Sequence, residues 1–122
     1  CSSDLSTAAV LTSKMPKWEM KDDKPVLVDG EESDTPITTI PVSVTMGLIG
    51  EYIIVDPNLD EWECLDARIT ITTNSDGNIV ALQKGGSSGF SLDQLIKCSE
   101  LSISTGPEIR EIIKQTANQT SQ

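Results

Sequence analysis

The sequence predicts an α+β fold in two layers, with an antiparallel-rich sheet of about four strands and two C-terminal helices on one face. Three observations lead to this prediction. Apolar and polar residues alternate with period two from residue 38 onward, an Asn-Ser-Asp-Gly turn signal interrupts them at 74–77, and helical periodicity begins at residue 91. A chain of 122 residues is long enough for one domain with a single core.

The strands follow one another in two successive hairpins. In PVSVTMGLIG, residues 41–50, one face of the predicted first strand carries only apolar side chains, those of Val42, Val44, Met46 and Leu48. EYIIVD, residues 51–56, is almost wholly apolar, which is typical of a strand buried on both faces. ARITIT, residues 67–72, turns Ile69 and Ile71 inward, and NIVALQ returns after the turn at 74–77.

Two helices are predicted after the sheet. KGGSSGF, residues 84–90, is a mobile connector, because it matches neither GxGxxG nor a P-loop. SLDQ, residues 91–94, is a capping box that begins the first helix. Pro107 suits the first position of a second helix, so TGPEIREII is predicted to restart the helical pattern.

The first third of the chain has a different composition. Residues 1–14 are predicted to be the end of a helix, with Leu5, Ala8 and Ala9 at helical spacing. Residues 15–37 are predicted to be an acidic variable loop in which PVLVD is at most a brief strand, because 17–34 holds seven acids against three lysines. Residues 38–122 form the predicted folded domain.

Composition excludes several classes of function. The formal net charge is −10 and the pI about 4.2, so an isolated chain would be repelled by a nucleic-acid backbone. The sequence has no histidine, which excludes a Ser/His/Asp triad and a His-ligated metal within the chain. The sequence has three cysteines, Cys1, Cys64 and Cys98, and no two of them form a CxxC motif. They are predicted to be reduced thiols of an intracellular protein. No apolar run is long enough for a membrane span, and the absence of a starting Met indicates a fragment.

Six acidic residues between 51 and 66 are the sequence's strongest chemical feature. They are either oxygen ligands for Mg²⁺ or Ca²⁺ or solvated acids that cap turns and helices, and their spacing does not match an EF-hand loop. Asp56, at a strand end before Pro57, is interpreted as a turn former. Trp62 and Cys64 are interpreted as packing or interface residues, and for Trp62 both alternatives stay open.

From Ile40 to about Thr116 the ordered set of motifs resembles the second half of an RNase PH-type subunit of the RNA exosome ring. The set comprises PVSVT, the apolar run ending in VDP, a short acidic turn, DARITIT, a hairpin, QKGG and the terminal helical segments. CSSDLSTAAVL is similar to the helix that closes the first half of such subunits. The resemblance therefore covers nearly the whole chain, but only about half of a family member.

The resemblance implies specific roles at the acidic turn. Phosphorolytic members have two aspartates there, at the ends of a D-x-N/Y-x-x-E-D stretch, for metal binding and acid catalysis. Asp56 matches the first, Asn58 and Glu61 match the middle, and Trp62 stands where the second would be. Because an indole can neither donate a catalytic proton nor bind a hard cation, the resemblance implies the non-catalytic branch, which Pro57 also marks.

The resemblance thus predicts a non-enzymatic structural subunit of the exosome core, in a hexameric ring that channels RNA for 3′-to-5′ processing and degradation. Its implied partners are other RNase PH-like subunits, RNA-binding cap subunits and RNA, with no membrane, no DNA, no cofactor and no metal. The implied location is intracellular, in nucleus, nucleolus and cytoplasm if the source is eukaryotic. Arg68, Lys84 and Lys97 are the basic candidates, and none is assigned to RNA.

Two alternatives of other classes accompany this prediction. The first is an active phosphate-dependent 3′-to-5′ exoribonuclease, which would need the aspartate that Trp62 replaces. The second is a free-standing acidic interaction domain, whose exposed strand edges would add strands to a partner.

Overall fold

The computed structural model describes the backbone of residues 2–120 and the side chains of residues 4–119. The elements in chain order are α1 (Ser2–Thr12), β1 (Lys14–Lys21), β2 (Lys24–Asp34), β3 (Val42–Ile49), β4 (Tyr52–Val55), α2 (Leu59–Glu63), β5 (Ala67–Thr73), β6 (Ile79–Gly86) and α3 (Leu92–Thr120). The chain divides into two compact units, residues 39–112 and the remaining residues. Cys1 lies outside the described residues.

The unit of residues 39–112 is built on a four-stranded antiparallel sheet. The strand order is β4-β3-β5-β6, so each predicted hairpin is present and the two hairpins pair through β3 and β5. The register places Val44 opposite Ile71 and Met46 opposite Ile69. The predicted α+β class with a four-stranded antiparallel sheet is therefore confirmed.

The core lies on one face of the two central strands. The buried cluster consists of Val44, Met46, Ile69, Ile71 and Cys98, with Leu95, Leu101 and Ile109 among the side chains packed against it. Full burial of aliphatic side chains of this size stabilises the fold by about 1.5–3 kcal/mol each. The inward faces predicted for these two strands are confirmed, because period-two patterning follows directly from the alternating direction of strand side chains.

Helix α3 is attached to the sheet by polar contacts beside this core. The buried guanidinium of Arg110 donates from Nε to the Ile40 carbonyl at 2.9 Å, and from Nη2 to the Thr73 carbonyl at 2.7 Å and to Thr73 Oγ1 at 2.6 Å. Ser102 Oγ donates to the Ile71 carbonyl at 3.1 Å. A buried guanidinium is tolerated only when its donors have partners, and here three oxygen acceptors supply them.

The opposite face of the sheet, called the outer face below, is polar at its centre. Ser43 and Thr72 share a hydroxyl–hydroxyl hydrogen bond of 2.8 Å, and Thr45 and Thr70 share one of 2.9 Å. All four side chains are half-buried cross-strand neighbours. The two faces of the central strands therefore differ sharply, with aliphatic side chains towards α3 and hydroxyls away from it.

Two details of the predicted unit are wrong. β4 is an edge strand rather than a strand buried on both faces, because it pairs only with β3, and Tyr52 is 79% exposed. The two predicted C-terminal helices are one helix, α3, with Pro107 inside it. The proline ring is exposed, so water can bind the carbonyl that loses its helical partner, while the contacts of Arg110 and Ser102 hold the surrounding turns on the sheet.

The prediction of an acidic loop at residues 15–37 is also wrong, because most of this segment forms the β1–β2 hairpin. Asp22 and Asp23, at φ 49° and 59°, make its two-residue turn in the left-handed conformation that suits hairpins. Trp18 pairs with Leu27 across the hairpin. Lys17 Nζ lies 2.7 Å from Glu31, whose carboxylate raises the pKa of that lysine. Cross-strand pairs and turn geometry thus form a hairpin where the high proportion of charged residues had indicated a loop.

The helix expected at the N-terminus is present as α1.

Among residues 2–120, no helix is both long and apolar enough to cross a bilayer. The two cysteines with described side chains differ in environment, since Cys64 is exposed and Cys98 is fully buried in the core. Burial raises the pKa of the Cys98 thiol, an effect that nearby Lys97 partly opposes.

We expect Gly106→Ala to destabilise the protein, although alanine is normally about 1 kcal/mol more favourable than glycine inside a helix. A Cβ at Gly106 would lie 2.8 Å from Thr73 Oγ1 and 3.1 Å from an Arg110 nitrogen. Overpacking of this kind costs about 1–3 kcal/mol, measurable by urea unfolding. The control is Gly89→Ala, where a Cβ meets no atom within 4 Å. Equal or greater stability of the Gly106 variant would contradict the close helix–sheet approach.

We expect iodoacetamide to distinguish the two cysteines at neutral pH. The thiolate is the reacting species, so the raised pKa and burial of Cys98 should slow its alkylation about a hundredfold relative to Cys64. Peptide mapping by mass spectrometry after timed quenching gives both rates, and labelling in urea is the control that should abolish the difference. Equal native rates would contradict the burial of Cys98.

Candidate functional site

The acidic turn lies between β4 and β5, and its first residue is Asp56. The Asp56 backbone has a φ of 52°, in the left-handed region, and its N–H donates to the Thr45 carbonyl at 2.9 Å. Aspartate is one of the few residues with a Cβ that adopts this conformation at modest cost. Pro57 follows and directs the chain away from the sheet edge.

Helix α2 is a single turn held by a reciprocal capping box. The Glu61 N–H donates to Asn58 Oδ1 at 3.0 Å, and the Asn58 N–H donates to Glu61 Oε2 at 2.9 Å. From the sequence Glu61 was interpreted as either a metal ligand or a capping acid, and the capping role is the one observed, whereas the reciprocal box with Asn58 was not predicted. The signal was present, because Asn followed three residues later by Glu is a helix-start signature. The Glu61 carboxylate therefore has a structural partner.

Trp62 and Arg68 form the centre of the site. The guanidinium carbon of Arg68, on β5, lies 4.7 Å from the centroid of the Trp62 ring, a cation–π arrangement. Trp62 is 41% exposed and does not belong to the core. Sequence reasoning named Arg68 only as a basic candidate and did not predict the pair, which joins positions on different elements.

Two glycines make room for this arrangement on the outer face. In the sheet register Arg68 lies between Gly47 on β3 and Gly85 on β6. A Cβ at Gly85 would lie 2.7 Å from Arg68 Nε, and one at Gly47 would overlap the Leu65 side chain. Arg68 therefore lies across Gly85 while Leu65 lies over Gly47, and the two contacts hold the α2 segment against the sheet.

Asp66 anchors the other end of the acidic turn. Its Oδ2 accepts from the Gly50 N–H at 2.7 Å, its N–H donates to the Leu48 carbonyl at 2.9 Å, and its carbonyl accepts from the Ser88 N–H at 3.1 Å. The carboxylate thus ties the β3–β4 turn to the start of β5. Asp66 is a structural residue of the site.

The acids of the turn have separate contacts. Within residues 2–120, no three His, Cys, Asp or Glu side chains are grouped as a cation would require. The carboxylates of Glu61 and Asp66 accept hydrogen bonds from separate backbone segments. This distribution matches the interpretation of the acids as caps and turn residues better than that of ligands.

The structure does not bring the three basic candidates together. Arg68 lies on the outer face with Trp62, whereas Lys97 is on α3, which packs on the opposite face. Lys84 Nζ donates to the Gly86 carbonyl at 2.8 Å. No single basic surface results from these three residues.

An open pocket of about 310 Å³ lies beside α2. Its lining consists of Pro57, Asn58, Leu59 and Trp62. Three of the four are large and mostly apolar, and Leu59 is 76% exposed. The site therefore consists of a capped helical turn, a cation–π pair and an apolar pocket, with carboxylates around them.

The sequence profile of the 3′ exoribonuclease family, domain 2, matches residues 39–105, more than half of the chain. The chain belongs to this family. The matched range spans the sheet, the acidic turn and the first part of α3, so the geometry described above is that of an exoribonuclease-family domain 2.

Curated relatives are similar to this chain along most of the chain's own length. The chain is 36% identical over 115 residues to the exosome complex component Rrp42 of Thermococcus gammatolerans, covering 93% of the chain and 42% of that protein. It is 43% identical over 82 residues to the exosome complex component Rrp42 of Thermoplasma volcanium, covering 67% of the chain and 32% of that protein. The chain therefore spans less than half the length of these relatives.

Two solved structures are similar in fold and sequence. A chain of an archaeal exosome core superposes with a TM-score of 0.72 at 31% identity, covering 87% of this chain and 40% of that chain. A chain of the Archaeoglobus fulgidus exosome with RNA bound to the active site gives a TM-score of 0.63 at 35% identity, covering 67% and 32%. The resemblance to RNase PH-type exosome subunits is therefore confirmed for this part of the molecule.

We expect Asn58→Ala to loosen α2 by about 1 kcal/mol, because it removes half of the capping box. The readout is hydrogen exchange at the Glu61 amide, which donates to Asn58 Oδ1 and should exchange about fivefold faster in the variant. Asn58→Asp, which keeps the acceptor oxygen, is the matched control and should retain protection. Unchanged exchange in the alanine variant would contradict the box.

Proposed function

We propose that the chain is part of a non-catalytic structural subunit of the RNA exosome core. In this proposal it occupies one position in a hexameric ring of RNase PH-like subunits, which channels RNA for 3′-to-5′ processing and degradation. Its partners are the other ring subunits, RNA-binding cap subunits and RNA. The two relatives named above are exosome complex components, which supports this assignment.

The observation that carries the non-catalytic part of the proposal is the Trp62–Arg68 pair. Trp62 stands at the position where the resemblance places the second aspartate of the phosphorolytic pattern, and its ring faces the Arg68 guanidinium at 4.7 Å. An indole has no acidic proton in the range that catalysis uses and no oxygen for Mg²⁺. The remaining family acid, Asp56, has no second carboxylate at that position to complete a pair.

Two of the neighbouring acids support the same conclusion. Glu61 is engaged in the capping box and Asp66 in the turn contacts, so neither is available as a substitute for the missing aspartate. The exosome whose solved structure has RNA bound to its active site contains a chain of this fold. In our proposal this chain lies in a ring in which other chains supply the catalytic groups.

The proposal places the protein inside the cell, in nucleus, nucleolus and cytoplasm if its source is eukaryotic. The competing candidate is an active phosphate-dependent exoribonuclease, which the retained Asp56 favours. The two candidates differ in what Asp56 does, so the test is made at this residue.

We expect Asp56→Asn to leave RNA degradation by the assembled complex unchanged within about twofold, because the carboxylate takes no part in chemistry. Asparagine also adopts the left-handed conformation found at position 56, so the turn is preserved. The rate is measured as nucleoside diphosphate released from oligoadenylate in phosphate buffer, with the full-length variant incorporated in its complex.

The matched control is Asp76→Asn, a turn carboxylate in the β5–β6 hairpin with the same change of charge. A loss of about a hundredfold or more in the Asp56 variant alone would mean that Asp56 is catalytic, since that is the usual contribution of a general acid or base. Diphosphate release by the full-length protein alone would also contradict the proposal.

A further inference from the structure

The pocket beside α2 combines an apolar lining with an exposed wall. Leu59 is 76% exposed and Trp62 41% exposed, and Pro57 completes the apolar surface. Arg68 is not among the lining residues, although its guanidinium lies 4.7 Å from the Trp62 ring. An aromatic ring, an aliphatic side chain and a proline around about 310 Å³ fit one or two aliphatic or prolyl side chains.

The lining residues of this pocket have acidic neighbours along the chain, whose carboxylates are called the rim charges below. Each apolar lining residue has an exposed carboxylate as its chain neighbour, namely Asp56 before Pro57, Asp60 after Leu59 and Glu63 after Trp62. The whole chain carries a formal net charge of −10, which adds a long-range attraction for cations. Charge complementarity therefore selects an occupant with basic groups around an apolar centre.

We propose that the pocket lined by Pro57, Leu59 and Trp62 docks a protein segment in which an aliphatic or prolyl residue is flanked by lysines or arginines. The apolar residue enters the pocket and the basic side chains pair with Asp60 and Glu63. Burial of the central side chain supplies affinity, and the rim charges supply association rate and selectivity. A nucleic-acid strand is disfavoured, because its phosphates would approach three carboxylates.

This inference goes beyond the proposed ring function, because it concerns a surface of α2 and does not depend on which assembly contains the chain. A protein that fails to assemble into a ring could still bind the segment. Failure of one proposal is therefore distinguishable from failure of the other.

The test uses the full-length protein and a dye-labelled peptide with a central Leu-Pro pair between runs of lysine, with binding measured by fluorescence anisotropy at low and moderate salt. We expect Leu59→Ala to weaken binding about tenfold, because the exposed side chain forms a pocket wall. We expect Asp60→Asn combined with Glu63→Gln to weaken it about tenfold at low salt and to remove most of the salt dependence.

The matched control for charge is Asp93→Asn combined with Glu100→Gln, two exposed acids of α3, which packs on the other face of the sheet. This control should bind within about twofold of the parent, since rim charges act over about a Debye length. The proposal is overturned if the control weakens binding as much as the α2 pair does. It is equally overturned if the lysine peptide does not bind, or if a glutamate-flanked peptide or oligoadenylate competes at equal affinity.

Discussion

The buried guanidinium of Arg110 joins three parts of the 39–112 unit that are far apart in sequence. Its hydrogen bonds reach Ile40, two residues before β3, and Thr73, the last residue of β5, from the middle of α3. Gly106 lets the helix approach Thr73 closely enough for these bonds. Because the helix covers only one face of the sheet, the outer face is left for the acidic turn and α2. The position of the candidate site thus depends on a contact on the opposite side of the sheet.

On the outer face, two glycines determine where the larger side chains can pack. Glycines at 47 and 85 leave space for Leu65 and Arg68, and Arg68 in turn meets the ring of Trp62. This packing gives the tryptophan a structural partner at the position where a phosphorolytic relative is expected to carry an aspartate. With an acid at position 62, the Arg68 guanidinium would lie beside a carboxylate instead of an indole. Both the charge and the packing of the turn would then differ. Trp62 is thus part of an organised surface, which is why we propose a structural role for this chain.

The central strands were predictable because period-two alternation records which face is buried, as Val44 and Ile71 show. The edge position of β4 was not, since an apolar run does not reveal how many neighbours a strand has. The β1–β2 hairpin was not predicted because the two aspartates of its turn were counted as part of a charged loop rather than recognised as turn-forming residues. At the site, the capping box was visible in the sequence, but the Trp62–Arg68 pair was not. The bond of Arg110 to Ile40 spans 70 positions, beyond the reach of any local pattern.

Whether this chain belongs to a ring of related subunits can be determined from the native mass of the full-length protein. The full-length protein would be tagged, purified gently from its own cells and measured by native mass spectrometry, with the co-purifying chains identified. We expect a large heteromeric assembly that contains other RNase PH-like chains. A monomer, or a homohexamer that degrades RNA with phosphate, would contradict it.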